Sequence, residues 1–281
     1  MKSRIYPAIA AILFLLTSPA HATSVTEFDS KRPVQVRTIP ATAQPAPLLI
    51  GLHSAGMSGD HFEGKAKLTT SAKAASWIYI TPSGTLGGDG RRVWNAAKSC
   101  CQHGGEPVDD IAYINSVIDW VKKIHAVDES RIYLVGTSNG AFMSYTYACA
   151  TGRVRAVVAL AGALDTDFTC ASKKNFAVLA IHGTSDSVIK YKGGSHAGHS
   201  YTSAEATTSF FAQHNKCSKI LSAALQTFDF DPRIPGPETR VTSYEKCRSP
   251  VVQWDISRGK HSPTYPKNFA ELITSFLKNP K

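Results

Sequence analysis

The chain has 281 residues, 43% of them hydrophobic, with 31 Lys and Arg against 21 Asp and Glu, a formal charge of +10. That length supplies ample core for one large domain. The cationic residues are scattered and no basic run is interleaved with aromatics, so nucleic acid is not an expected partner. The excess charge reads first as a solubility device and, as the alternative, as an attraction to acidic wall polymers.

The amino terminus comes first. Lys2 and Arg4 precede an apolar run over residues 5–16, broken only by Tyr6 and Pro7, and Ala20-His21-Ala22 forms an A-x-A cleavage site. This predicts a secretory signal peptide over 1–22, cut after Ala22 and too short to span a membrane. Residues 23–281 are then predicted to form a single catalytic domain, secreted to the periplasm or beyond, monomeric and free of the membrane. All six cysteines (Cys100, Cys101, Cys149, Cys170, Cys217, Cys247) lie in the exported part. An even count in that compartment implies disulfides. No C-x-x-C pair or H-E-x-x-H run points to a metal, and spacing leaves the pairing open.

Short apolar runs then alternate with amphipathic stretches. That pattern predicts an α/β fold, a mostly parallel central sheet with helices on both faces. The predicted strands are 34–39, 48–52, 77–80, 131–135, 156–160, 178–181 and 251–256, several of them continuous in Val, Ile and Leu. A helix should start at Asp109 or Asp110, carry Ile111, Ile114, Val117, Ile118 and Val121 on one face, and end near Lys122 and Lys123. Further helices are predicted just after Ser138, over 205–214, and over 266–277 with Pro266 at the start. The polar stretches 83–107 and 228–239 read as long loops, which often shape binding sites.

The strongest chemical signal is Gly136-Thr137-Ser138-Asn139-Gly140, a G-x-S-x-G sequence between a predicted strand and a predicted helix. Such a turn lifts Ser138 Oγ out of the sheet and sets it at a helix N-terminus, where negative charge is favoured. A serine nucleophile needs a base, and the base needs an orienting acid. Asp186 follows the strand 178–181, and His261 follows the strand 251–256, in the chain order such folds require. Asp165 and Asp167 compete for the acid; His182, His196, His199 and His214 compete for the base. His182 reads as structural or pocket-lining, and His196 and His199 as parts of a solvated glycine-rich loop over 193–199. The backbone N–H groups of Asn139 and Ala55 are the candidate oxyanion donors, with Ser54 the alternative to Ala55.

These blocks, with Leu52–Gly56, Trp94-Asn95, Cys100-Cys101, Val108–Ile114, Tyr191–Gly194 and Gly259-Lys260-His261, resemble the extracellular poly(3-hydroxybutyrate) depolymerase and feruloyl esterase group of α/β-hydrolases. The resemblance implies a carboxylic-ester hydrolase with the same triad and with no metal or cofactor. It also implies that Cys100 and Cys101 pair with Cys149 and Cys170, and Cys217 with Cys247. Two positions depart from the group: Ser54 stands in His53-Ser54-Ala55-Gly56 where glycine is usual, and Ala141 follows Gly140 in place of a second glycine. The expected substrate is a feruloyl or related aromatic ester of plant polysaccharide, with Trp94 stacking on it and His182 near it. Hydroxybutyrate polyester or its oligomers come next, then small acetyl esters. A serine peptidase and a non-catalytic binding protein are the competing classes.

Overall fold

The computed structural model describes residues 28–29, 31–101, 108–196, 198–218, 221–222 and 227–280; the predicted signal peptide lies outside them. In chain order the strands are β1 (Val34–Thr38), β2 (Ala46–Leu52), β3 (Ile78–Pro82), β4 (Thr85–Leu86), β5 (Arg92–Val93), β6 (Val127–Thr137), β7 (Ala156–Leu160), β8 (Ala177–Gly183), β9 (Gly194–His196), β10 (His199–Tyr201), β11 (Leu221–Ser222), β12 (Thr227–Phe228), β13 (Thr239–Tyr244) and β14 (Val251–Ile256). The helices are α1 (Gly59–Ala66), α2 (Thr69–Ala74), α3 (Asp110–Ile124), α4 (Asn139–Thr151), α5 (Ala204–His214) and α6 (Phe269–Lys278).

Strands that are apolar at every position need cover on both faces. Alternate residues of β2 and β6 divide accordingly. Leu48, Ile50, Leu52, Ile132 and Leu134 pack with α3, α4 and α5. Leu49, Tyr133 and Val135 pack with α1, α2 and α6. The main sheet runs β1-β3-β2-β6-β7-β8-β14-β13-β11, with β12 also on β13. Every pairing from β3 to β14 is parallel, and the outer strands β1 and β13 are antiparallel. This is the mostly parallel sheet that the alternating pattern predicts.

Register decides where the chemistry gathers. Leu52 of β2 pairs Gly136 of β6, Leu160 of β7 pairs Ile181 of β8, and Gly183 of β8 pairs Ile256 of β14. The loops after β2, β6, β8 and β14 therefore leave from one edge of the sheet, carrying His53–Gly56, Ser138, Asp186 and His261.

All seven predicted strands and all four predicted helices are present. The helix of 110–124 is capped as expected, Asp109 Oδ1 accepting from the Ala112 N–H at 2.8 Å. The last helix starts at Phe269 rather than 266, because the Pro266 carbonyl is used in a turn with the Phe269 N–H. Nine elements were not foreseen: α1, α2 and the strands β4, β5, β9, β10, β11, β12 and β13. Two of them have a weak pattern for a physical reason. α1 contains Gly59 and Gly64 and is held by Phe62 and Ala66 packing on the sheet. β13 is polar and half-exposed, as one face of an antiparallel strand can be.

The disulfide expectation needs correction. Cys217 does pair with Cys247, but Cys100 bonds its neighbour Cys101, and Cys149 bonds Cys170. Cys100 lies within reach of the Asn139 side chain at the start of α4. Cys149 is ten residues further along that helix, about 15 Å at 1.5 Å per residue, well beyond the ~7 Å Cα span a disulfide allows.

Candidate active site

β6 ends at Thr137 and α4 begins at Asn139, so Ser138 alone makes the turn, at φ 52° and ψ −119°. A left-handed non-glycine residue costs on the order of 1 kcal/mol. The strand and helix hold it there, helped by the Ser138 N–H donating to the Leu160 carbonyl of β7 at 2.8 Å. The flanking glycines answer to close approach. A Cβ on Gly136 would lie 2.1 Å from the Gly140 carbonyl oxygen, and one on Gly140 would lie 2.2 Å from that of Leu52.

His261 joins the serine to the acid. Its Nδ1 lies 2.7 Å from Asp186 Oδ2 and its Nε2 lies 3.0 Å from Ser138 Oγ. A carboxylate only accepts, so Nδ1 carries the proton and Nε2 is free to accept from the serine hydroxyl. Asp186 is enclosed on every side. Oδ1 accepts from the Val188 and Ile189 N–H groups at 2.8 and 3.0 Å, and His182 Nε2 stands 3.2 Å from Oδ2. Burial pushes this carboxyl up, but the hydrogen bonds from His182 and His261 and the His261 charge outweigh it and bring it down to about 2. The acid therefore stays ionised through the whole working range.

The rival residues are occupied elsewhere. Asp165 accepts from the Lys98 and Ser99 N–H groups and the Ser99 hydroxyl, holding the loop that leads to Cys100. Asp167 is exposed and paired with Lys98 at 2.8 Å. His214 is bonded to the Lys174 carbonyl at the far end of α5, and His199 is on the exposed hairpin. His196 sits on the same hairpin and lines the cleft above Ser138, rather than facing solvent alone.

Trp94 and His182 are the two site expectations that the structure overturns as substrate contacts. Trp94 is wholly buried. Its indole N–H donates to the His53 carbonyl at 3.0 Å, and its ring lies 5.0 Å from that of His53. It braces the site from behind and offers no face to a ligand. His182 is 2% exposed, with Nε2 also 2.8 Å from the Ile189 carbonyl, so it holds the acid's loop.

Behind the nucleophile lies a hydrogen-bonded cluster that the sequence did not reveal. The Asn139 side chain accepts from the Trp94 N–H at 2.7 Å and donates to the Trp94 carbonyl at 2.9 Å, joining α4 to the Trp94 loop. His53 accepts at Nε2 from the Gly84 N–H at 2.8 Å, so its Nδ1–H donates to the Ser54 carbonyl, also at 2.8 Å. Burial pushes the His53 imidazole down to about 4, helped by the Arg92 and Arg32 charges, and the ring stays neutral. Ser54, the departure from the usual glycine, has a use of its own: Oγ lies 2.9 Å from Thr137 Oγ1, tying the loop after β2 to the end of β6. Asn139→Ala should cost about 3 kcal/mol by stranding the buried Trp94 amide groups. A urea midpoint measured at unchanged slope would register it; a loss below about 0.5 kcal/mol would mean that the cluster does not brace the turn.

Ser138 opens into a cleft of about 610 Å³. Its apolar lining includes Met57, Phe62, Ala66, Cys100, Cys101, Val188 and Ile189. Ser54 and Ala55 both line it. Among the described residues no Asp or Glu lines it.

Serine, acid and base in that chain order, each just past a strand of a mostly parallel sheet, mark the α/β-hydrolases. Residues 35–229 match the phospholipase/carboxylesterase family, and the chain belongs to it. It is 27% identical over 216 residues to feruloyl esterase B of Piromyces equi, which covers 73% of this chain and 37% of that protein. It is 28% identical over 216 residues to a probable feruloyl esterase C of Aspergillus oryzae, covering 74% and 67%. The chain thus spans little more than a third of the first relative's length and about two thirds of the second's. Its fold is similar to that of an acetyl xylan esterase from Aspergillus awamori, with a TM-score of 0.62 at 12% identity over 90% of this chain and 97% of the other. At that identity the likeness is one of fold.

Proposed function

We propose that the protein is a serine carboxylic-ester hydrolase working through an acyl-enzyme, with Ser138 as nucleophile, His261 as base and Asp186 as acid. The observation that carries this reading is the continuous path from Asp186 through His261 to Ser138, at 2.7 and 3.0 Å. Ser138 Oγ attacks the ester carbonyl while His261 Nε2 takes its proton. The Asp186 carboxylate stabilises the imidazolium and keeps Nδ1 protonated. The oxyanion is received by the Asn139 N–H at the start of α4 and by the Ala55 N–H, each donor of this kind contributing about 10²- to 10³-fold. His261 then protonates the leaving alcohol, and water releases the acid by the same path.

The substrate is an ester with an aromatic acyl group, of the feruloyl type, carried on plant polysaccharide. The apolar walls and volume of the cleft suit such a group, and the feruloyl esterase relatives support the assignment. The three disulfides suit export of residues 23–281 as one catalytic unit after removal of the signal peptide. No helix among the described residues is long and apolar enough to cross a membrane. Hydrolysis of methyl ferulate and of a 3-hydroxybutyrate oligomer, measured side by side, tests the substrate. Faster release of ferulate is expected; preference for the oligomer would make this a polyester-degrading enzyme with the same chemistry.

A further inference from the structure

The surface around the loop bearing His261 is cationic on both sides. On one side a groove of about 220 Å³ is lined by Arg233, Arg258 and Lys260, with Asp231 its sole carboxylate among the described residues. On the other a groove of about 730 Å³ is lined by Lys65, Lys67 and Lys267, with Glu271 the sole carboxylate among the described residues. The second groove shares Lys65 and Tyr265 with the cleft, and the first shares Lys260 with the narrow space beside Ser138 and His261. Lys65 lines the cleft itself, and Lys65 and Lys260 both line the narrow space beside Ser138 and His261.

Little in the protein neutralises these cations. Asp231 is already held by Arg233 through Nε at 3.1 Å, Nη2 at 2.9 Å and the backbone N–H at 3.1 Å. Among the described residues, Lys65, Lys67, Arg258, Lys260 and Lys267 enter no ion pair, whereas many of the molecule's other cations do. The Lys65 ammonium stands 4.8 Å above the Tyr265 ring, beside the cleft. Burial, and then the Arg233 charge, hold it below the ordinary ammonium value, with Asp231 acting the other way. Like charges gathered around a cleft repel one another and raise the local concentration of anions.

We infer that the scissile ester is carried on a carboxylated polysaccharide, a uronate-bearing chain, whose carboxylates lie on Lys65, Lys67 and Lys267 to one side of the His261 loop and on Arg258 and Lys260 to the other. This rests on the ester-hydrolase reading above and names the carrier of its substrate. A sugar acid suits this rim better than a nucleic acid does. Single-stranded nucleic acid is held by aromatic faces that stack on its bases, whereas the rim aromatics Tyr265 and Phe269 are stacked on each other at 4.1 Å and Tyr265 is covered by Lys65.

The test uses an oligogalacturonate as inhibitor of methyl ferulate hydrolysis, with a neutral xylo-oligosaccharide of equal length and a DNA oligonucleotide as comparisons. Lys67, Arg258 and Lys267 do not line the cleft, so K67Q/R258Q/K267Q should keep the wild-type kcat/KM on methyl ferulate. Oligogalacturonate should inhibit the wild type competitively at low salt, and less as ionic strength rises and screening shortens. The triple variant should raise its inhibition constant about tenfold, each lost contact being a modest exposed pair. Equal inhibition by the neutral oligosaccharide, equal inhibition by DNA, or an unchanged constant in the variant would overturn the inference. Failure to hydrolyse any ester would instead count against the esterase reading. Binding of labelled oligogalacturonate to Ser138→Ala, with and without the three substitutions, would still decide the rim.

Discussion

Ser138→Ala should lower kcat/KM toward every ester by about 10⁴- to 10⁶-fold while leaving the fold intact. In the proposed mechanism Oγ is the attacking atom, and among the described residues no other hydroxyl lining the cleft is held against a histidine. Ser54 Oγ is occupied by Thr137 Oγ1 at 2.9 Å. Residual hydrolysis above water remains because the Asn139 and Ala55 N–H groups still stabilise the oxyanion. The backbone at φ 52° is as demanding for alanine as for serine, so unfolding free energy should move by less than about 1 kcal/mol. Initial rates on methyl ferulate, with thermal unfolding of the same sample, check both halves. Retention of more than about a hundredth of wild-type activity would mean that another group attacks.

Asp186→Asn is expected to cost about 10⁴-fold in kcat, by a different route. The amide oxygen can still accept from the Val188 and Ile189 N–H groups, which leaves the amide NH₂ facing His261 Nδ1 and His182 Nε2. An NH₂ cannot accept, so His261 must present an unprotonated Nδ1 and carry its proton on Nε2, facing Ser138 with a donor where a base is needed. The pH dependence follows from the wild-type carboxyl at about 2, depressed from 3.8. A depressed folded-state value means stability that is present in full above about pH 4 and lost as pH falls through 2. The contribution is about 2 kcal/mol. Denaturant melts between pH 5 and 2 should show the wild-type advantage over Asp186→Asn shrinking by that amount. An unchanged difference across that range would contradict the charged, fully bonded acid. The acid limb of the kcat/KM profile belongs to another group, because Asp186 is already ionised well above pH 2.

Much of this was legible in one dimension because it rests on local physics. A strand covered on both faces must be apolar throughout, so β2, β6, β7 and β8 were readable as runs. The turn between β6 and α4 demands small residues at Gly136 and Gly140, so the nucleophile was readable as a pentapeptide. Chain order then picked Asp186 and His261 from several rivals. The side-chain cluster was not legible, since Asn139 reaches 45 residues back to Trp94 and His53 reaches 31 forward to Gly84. A tryptophan in a polar loop looks the same in sequence whether it faces a ligand or fills the space behind one.

The amino-acid sequence by itself determined the order and kind of the main strands and helices, the strained serine turn and the residue types that serve it, since each depends on neighbours a few positions away. Only the tertiary structure decided which cysteines bond, that Trp94 and His182 are buried behind the site, and that five cations from two separate segments share one rim. Those outcomes depend on which distant segments the sheet's register brings together, and spacing along the chain carries no record of distance across the fold.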